Sequence, residues 1–441
     1  MKKSVIIIGG GLAGLASAVF LCGKGFDISV YESSPKLGGR TYSFFDRKKK
    51  VYIDNGQHIL AGWYENTFDY LKMIGTFGMI DGQGRMRLVF CDRNKKSYVF
   101  ENGFLPGVFG LVSGVFRFKG FNFKDKTGFL KIRGLLKDKK YSSGYLNNLN
   151  VSSLLDELHQ TRNLRKYFWN PFILAAFNAS PEKVSAELFL KLVKKGTELR
   201  KNMSIILSGG TLNELFIDGA VNFLGAKSVI LKLNAGVKKI NTDGSKVINI
   251  ETSDGRKLIS DYYISAVPDY AFKKLFANEK ISWFLNSEEN LKSSSIISVH
   301  LFFKKPFAIG LKEKMIGLVD SVVQWVFVKS DTHLCLVISA ADYLENNLTE
   351  KENDDIFILC INDLKSCLEG FDENNILDYK VIKERKATFL PETGSEKFRF
   401  KQKSNFDNLF IAGDWTDTGY PSTIEGAVKS AKICSELIIN N

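Results

Sequence analysis

Two kinds of apolar pattern run along this chain. The first is the short uninterrupted run: Ser4–Ile8 (SVIII), Asp27–Tyr31 (DISVY), Tyr262–Val267 (YYISAV) and Leu409–Ile411. Their length and β-branched content predict strands covered on both faces, as in a parallel sheet with helices on either side. The first run leads into an Ala- and Leu-rich helix, Leu12–Gly23. The last leads into a helix from Ile424 to about Ile438, which Ser422 or Thr423 can cap. The second kind is periodic. Val51–His58 (VYIDNGQH) alternates like a half-buried strand and ends in a glycine turn. Val237–Ile240 and Val247–Thr252 predict a strand pair about Asp243-Gly244, with a further hairpin at Ser253-Asp254-Gly255. Helices are predicted through Asn150–Lys201 with a break at Asn170-Pro171, from Ser208–Leu215 onward, and over the amphipathic Asp354–Leu368. Ser298–Phe303, Val322–Val328 and Leu334–Ser339 are strand-like. The expected class is α/β.

Between the first strand and its helix, Gly9, Gly11 and Gly14 fit G-x-G-x-x-G. The first glycine permits a tight turn, the second lets backbone approach a pyrophosphate, and the third packs helix against strand. The N–H groups and dipole of the first turn, at Leu12 and Ala13, then face the phosphates. Glu32 ends the second strand 18 residues beyond Gly14, where a carboxylate can accept both ribose hydroxyls. Gly38, Gly39 and Arg40 follow, suited to a loop against the pyrophosphate with a guanidinium offered to its oxygens. At the other end of the chain, Gly413-Asp414 puts a carboxylate at a strand tip, able to hold a sugar or ribitol hydroxyl. Gly426 lets something flat approach the last helix. His58 has two readings: a structural histidine, or a chemical one, because imidazole titrates near neutrality.

Composition narrows the class. With 441 residues two domains are expected. No apolar run approaches the roughly 20 residues of a membrane-spanning helix. Met1-Lys-Lys runs straight into the glycine strand, so no cleavable leader is expected and the chain is read as cytoplasmic. Six cysteines without a C-x-x-C read as buried free thiols, and four scattered histidines argue against a metal site.

The net charge of +13 is spread widely, except over Phe104–Lys140. There, phenylalanines at 104, 109, 116, 118, 121, 123 and 129 interleave with Lys119, Lys124, Lys126, Lys131, Arg133, Lys137, Lys139 and Lys140. One reading is a helix pair with a solvated basic face. Another is an interfacial element whose aromatics sit among acyl chains while lysines meet anionic head groups. Nucleic acid is not expected as a partner, since no known module fits.

The N-terminal glycine fingerprint followed by Glu32 and Gly38-Gly39-Arg40 resembles the flavin amine oxidase and phytoene desaturase superfamily. Asp54–Leu60 (DNGQHIL), SVHLFFKKPF and VVQWVFV look more narrowly like its hydroxysqualene dehydroxylases of squalene and hopanoid biosynthesis, and GDW…TIEGA resembles the superfamily's closing motif. The resemblance implies non-covalent FAD. It implies that Gly56, Gln57 and His58 run close to the flavin, that Val237 contacts adenine, and that Thr423, Ile424 and Glu425 point a helix N-terminus at the flavin. It also implies a Rossmann-like FAD-binding domain assembled from 1–85, 206–280 and 396–441. An α+β substrate domain is expected as an insert, from 86–205 (helical, with 104–140 as the candidate membrane-facing element) and 281–395 (a sheet). The implied reaction is reduction of hydroxysqualene to squalene, with His58 as a candidate acid and NAD(P)H as a transient reductant, since no second glycine fingerprint exists. Carotenoid-type desaturation is the alternative within the superfamily. Rab dissociation inhibitors, which resemble this fold and bind prenyl chains, supply a non-enzyme alternative. The oligomeric state stays open.

Overall fold

The computed structural model describes residues 2–82, 86–103, 107–137, 140–198, 204–276, 291–307, 313–344 and 347–441. Phe104 and Lys139 of the basic–aromatic stretch therefore lie outside the described residues.

The short apolar runs do form one parallel sheet. Strand β1 (Lys3–Ile8) lies at its centre, between β2 (Phe26–Tyr31) and Tyr262–Ser265. Ile230–Lys232 and Leu409–Ile411 complete the five strands in the order 230–232, β2, β1, 262–265, 409–411. Val5 and Ile7 are fully buried, as are Ile264 and Leu409, because helices cover both faces. One cover is α1 (Leu12–Leu21), and the C-terminal helix Ile424–Ile439 packs beside it.

A second sheet has seven strands in the order 376–389, 293–303, 333–339, 325–330, 315–318, 87–91, 97–101. Its neighbours are antiparallel except Met315–Leu318 with Arg87–Cys91. One face packs on the helix Asn353–Cys367, and the other looks toward the parallel sheet. Between the sheets runs a hairpin of β3 (Ser43–Asp46) and β4 (Val51–Asp54).

Several elements differ from expectation. The segment 86–205, expected to be helical, opens with the hairpin Arg87–Glu101, which completes the second sheet. Pro171 does not break the chain. A π-helical turn, Arg165–Trp169, runs into the helix Asn170–Phe177, and the proline falls in that helix's first turn, where its missing N–H costs little. Strand β4 stops at Asp54 instead of reaching His58, with one further bond in register, from Asn55 N–H to Tyr42 O. The strand expected from Val322 begins at Trp325. Thr423, not Ser422, is the N-cap of the last helix, its Oγ1 accepting from Gly426 N at 3.1 Å. The six cysteines are all free, and five are buried.

Candidate active site

The turn after β1 is shaped by what its glycines lack. A side chain on Gly14 would put its Cβ 1.9 Å from Gly9 O, so helix and strand touch backbone to backbone. At Gly11, the nearest neighbour of such a Cβ would be Gly39 Cα at 3.9 Å, leaving an open space bounded by two glycines. The first intrahelical bond of α1 runs from Leu15 N to Gly11 O, so the N–H groups of Leu12, Ala13 and Gly14 are left without helical partners at that opening. Gly38 donates its N–H to Gly10 O at 2.9 Å, which draws the Gly38–Arg40 loop over the same opening, and its φ of +101° suits glycine alone. The cradle fits a dinucleotide pyrophosphate.

Glu32 sits at the edge of this cradle. One carboxylate oxygen accepts from Gly10 N at 2.6 Å and the other from Ser34 N at 2.7 Å. Ala235 donates its N–H to Glu32 O at 2.8 Å, which brings Gly236 and Val237 alongside the loop after β2. Arg40 is not a free guanidinium: it pairs with Asp414 and donates to Ala387 O at 2.7 Å. Asp414 also accepts from Ser422 Oγ, so the tip of the strand Leu409–Ile411 is tied to the approach to the last helix. A polar recess lined by Tyr270, Lys292 and Lys386 opens beside this pair.

The Gly56–His58 turn leads from β4 toward Tyr64 and the start of the helix Glu65–Met73, which meets the first turn of the last helix. Gly56 lies close to Ser298, whose Oγ would stand 3.9 Å from an added Cβ. Gln57 accepts from Lys329 Nζ at 3.1 Å, and the same ammonium reaches Asp54 at 3.0 Å. Burial acts to raise the Asp54 carboxyl, yet Lys329 and Ser43 hold it below its ordinary value. His58 is half-buried by accessible surface but crowded by protein on all sides. That desolvation, opposed by Asp54 and reinforced by Arg40, holds its imidazole down to about 4, so the ring is neutral near pH 7. Behind the turn, His300 Nδ1 and His333 Nε2 lie 2.9 Å apart. Burial first, and then each ring's cationic neighbourhood, holds them down to about 3 and about 4. Glu425 turns away from the opening. Its fully enclosed carboxylate accepts from Asn66 and Thr67 at the start of α2 (Glu65–Met73), leaving only its backbone at the helix N-terminus.

Beyond the turn lies an apolar cavity, partly open to solvent. Ile59, Ala61, Trp63 and Tyr64 form its near wall, the strands at 86–100 and Trp325 another, and Tyr167–Trp169 of the π-helical turn a third. Among the described residues no charged side chain lines it. Tyr64 of the cavity wall leads directly into α2, whose Asn66 and Thr67 hold Glu425 at the start of the last helix. The indole N–H groups of Trp63 and Trp325 are buried with no hydrogen-bond partner among the described residues. Neither tryptophan was among the site residues expected from the sequence. Their signal lies in place, not in pattern: Trp63 follows the Gly56–His58 turn by five residues.

A five-stranded parallel sheet with a glycine cradle, joined to a mixed sheet walling an apolar cavity, is the architecture of a flavin-dependent oxidoreductase. The chain belongs to the flavin containing amine oxidoreductase family, whose model matches residues 12–439. It is 27% identical over 442 aligned residues to a hydroxysqualene dehydroxylase of Zymomonas mobilis, covering 99% of both chains. It is 22% identical to a 15-cis-phytoene desaturase of Synechococcus elongatus, covering 99% of this chain and 95% of the other. Among solved structures, cyclohexylamine oxidase of Brevibacterium oxydans superposes with a TM-score of 0.70 at 15% identity, over 100% of this chain and 99% of the other; at that identity the likeness carries the fold alone.

Proposed function

We propose that this protein reduces hydroxysqualene to squalene, working on a long isoprenoid in the apolar cavity. The observation that carries the reading is the cavity itself: among the described residues no charged side chain lines it, and its wall begins at Ile59, directly after His58. Among the described residues a charged amine would find no counter-ion there, whereas a hydrocarbon chain is suited to it. The full-length similarity to hydroxysqualene dehydroxylases selects the substrate.

The cofactor in this reading is FAD, bound without a covalent link. Gly9, Gly11, Gly14 and the N–H groups of Leu12 and Ala13 receive its pyrophosphate, with Gly38, Gly39 and Arg40 closing over it. Glu32 would accept from the ribose hydroxyls, and the backbone near Val237 would meet adenine. Gly413 and Asp414 face the ribitol. Gly56, Gln57 and His58 and the helix start at Thr423–Glu425 flank the ring. When bound and reduced, FAD supplies a hydride.

The allylic C–O bond of the substrate breaks, its oxygen leaves as water with one added proton, and the carbon receives the hydride. The chain's own contribution is to exclude water, to hold the oxygen by the free indole N–H groups of Trp63 and Trp325, and to surround the carbon cation with aromatic faces. His58, neutral down to about pH 4, is a poor store for the proton, so we assign it to positioning beside the cofactor. The electron source is a nicotinamide that docks transiently. The protein works in the cytoplasm, peripherally at a membrane.

The test is anaerobic: reduce the bound flavin, add hydroxysqualene in detergent, follow flavin absorbance and extract the lipid. Flavin reoxidation with squalene appearing supports the reading. No reoxidation, with bleaching of oxidised flavin by a C30 or C40 polyene precursor, would make the protein a desaturase.

A further inference from the structure

Two helices that wall the cavity also carry a set of exposed apolar side chains. In α3 (Gly107–Arg117), Phe109 is 68% exposed and Phe116 39%; in α4 (Phe123–Leu130), Phe123 is 78% exposed and Leu130 44%. Each pair is seven residues apart, two turns of helix, so each lies along one face. The opposite faces are inside: Val108 and Leu111 of α3 and Phe129 of α4 line the cavity. The exposed and enclosed phenylalanines thus share one thin layer of protein, with the apolar space directly behind it.

The charge on this layer has one sign. Arg117, Lys119, Lys124 and Lys131 are exposed around the four apolar side chains. The single acid between residues 107 and 131, Asp125, is 1% exposed. It is turned inward to cap α4 at Asn122 and to accept from Thr161 Oγ1 at 2.5 Å. Its charge is thereby withdrawn from the surface and the cations remain. Exposed aromatics ringed by uncompensated cations match an anionic bilayer on both counts, acyl chains for the rings and head groups for the lysines.

We propose that the α3–α4 face docks on anionic lipid membranes and is the port through which the isoprenoid passes between acyl chains and cavity. The second half of this statement rests on the isoprenoid reading above; the first does not. Among the described residues no helix is long and apolar enough to cross a membrane, so the contact is peripheral.

The experiment uses the full-length flavoprotein and vesicles of phosphatidylcholine with or without phosphatidylglycerol. Co-flotation should require phosphatidylglycerol and weaken in high salt. F109Q/F123Q, and separately K119E/K124E/K131E, should each bind about tenfold more weakly with melting temperatures unchanged. Both variants should match wild type on substrate in detergent and fall behind it on substrate embedded in vesicles. Equal flotation with neutral vesicles, no flotation, or wild-type flotation by both variants would overturn the docking proposal. So would self-association in solution that F109Q/F123Q abolishes without any vesicle binding, which would make the face a contact between copies. Flotation that follows the proposal, with no turnover of isoprenoid in either medium, would sink the substrate reading and leave docking standing.

Discussion

The two sheets of this protein build their sites by opposite means. At the parallel sheet the recognising groups are backbone atoms, and what shapes the opening is the absence of side chains at Gly9, Gly11, Gly14, Gly38 and Gly39. At the seven-stranded sheet the wall is made of side chains, brought together from that sheet, from 59–64 and from helices between 108 and 196. A site made of missing side chains tolerates almost no substitution. A site made of apolar side chains tolerates many, provided volume and polarity are kept.

The largest effect expected follows from that contrast. Gly14→Val drives a branched side chain into Gly9 O, already 1.9 Å from the Cβ position, and should prise α1 from β1 and leave little soluble protein. Gly11→Ala has room in the protein itself and occupies only the opening. It should fold with an unchanged melting temperature yet purify with roughly a tenth of the flavin or less, since one methyl displaces the close backbone approach. A flavin-replete Gly11→Ala protein would remove the pyrophosphate from this cradle.

Next in size is the tie between the cradle and the C-terminal strand. Arg40→Ala leaves the Asp414 carboxylate, nearly enclosed, without its guanidinium and should cost on the order of 2 kcal/mol, read by thermal denaturation. Arg40→Lys keeps the charge but not both contacts, and should recover part of the loss. Equal melting temperatures for wild type and Arg40→Ala would show that the pair is dispensable to the fold.

What was legible follows the same divide. The glycine turn could be read because each glycine answers a local backbone demand within thirty residues of sequence. The parallel strands could be read because burial on both faces writes uninterrupted apolar runs. The strand Ile376–Phe389 was invisible: it is an edge strand, most of its residues are only partly buried, and Lys380, Lys383, Glu384, Arg385 and Lys386 break any apolar alternation. The hairpin Arg87–Glu101 was lost beside a phenylalanine-rich helical stretch. Its partner in the sheet, Met315–Leu318, lies more than 200 residues away, a pairing that no local period records. Glu425 was misleading for a different reason. It sits in the motif beside the helix N-terminus, but the groups that claim it, Asn66 and Thr67, are over 350 residues distant.

The cluster behind the Gly56–His58 turn gives a pH-dependent prediction. His58, His300 and His333 are held down to about 4, 3 and 4 in the folded protein, against an unfolded value near 6.5. Between those values the unfolded chain binds more protons, so stability rises with pH through the window and is lost as pH falls from about 6.5 toward 4. His300→Gln with His333→Gln should flatten that part of the melting-temperature profile, leaving the slope due to His58. An unchanged slope would mean that the pair takes up protons in the native state.

The smallest expected change in stability comes at the cavity wall, where the expected change in function is still large. Trp325→Phe removes bulk, which destabilises, and deletes a buried N–H without a partner, which stabilises; the two nearly offset, within about 1 kcal/mol. The readout is therefore a ratio. If the indole N–H holds the departing oxygen, turnover of hydroxysqualene should fall about tenfold, while the affinity for squalene, which has no oxygen, should hardly move. Trp63→Phe should show the same asymmetry. Equal losses for the alcohol and the hydrocarbon would mean that both indoles act by shape alone, and the two sheets would then differ more sharply still: polar recognition confined to the cradle, and a cavity that selects only by volume.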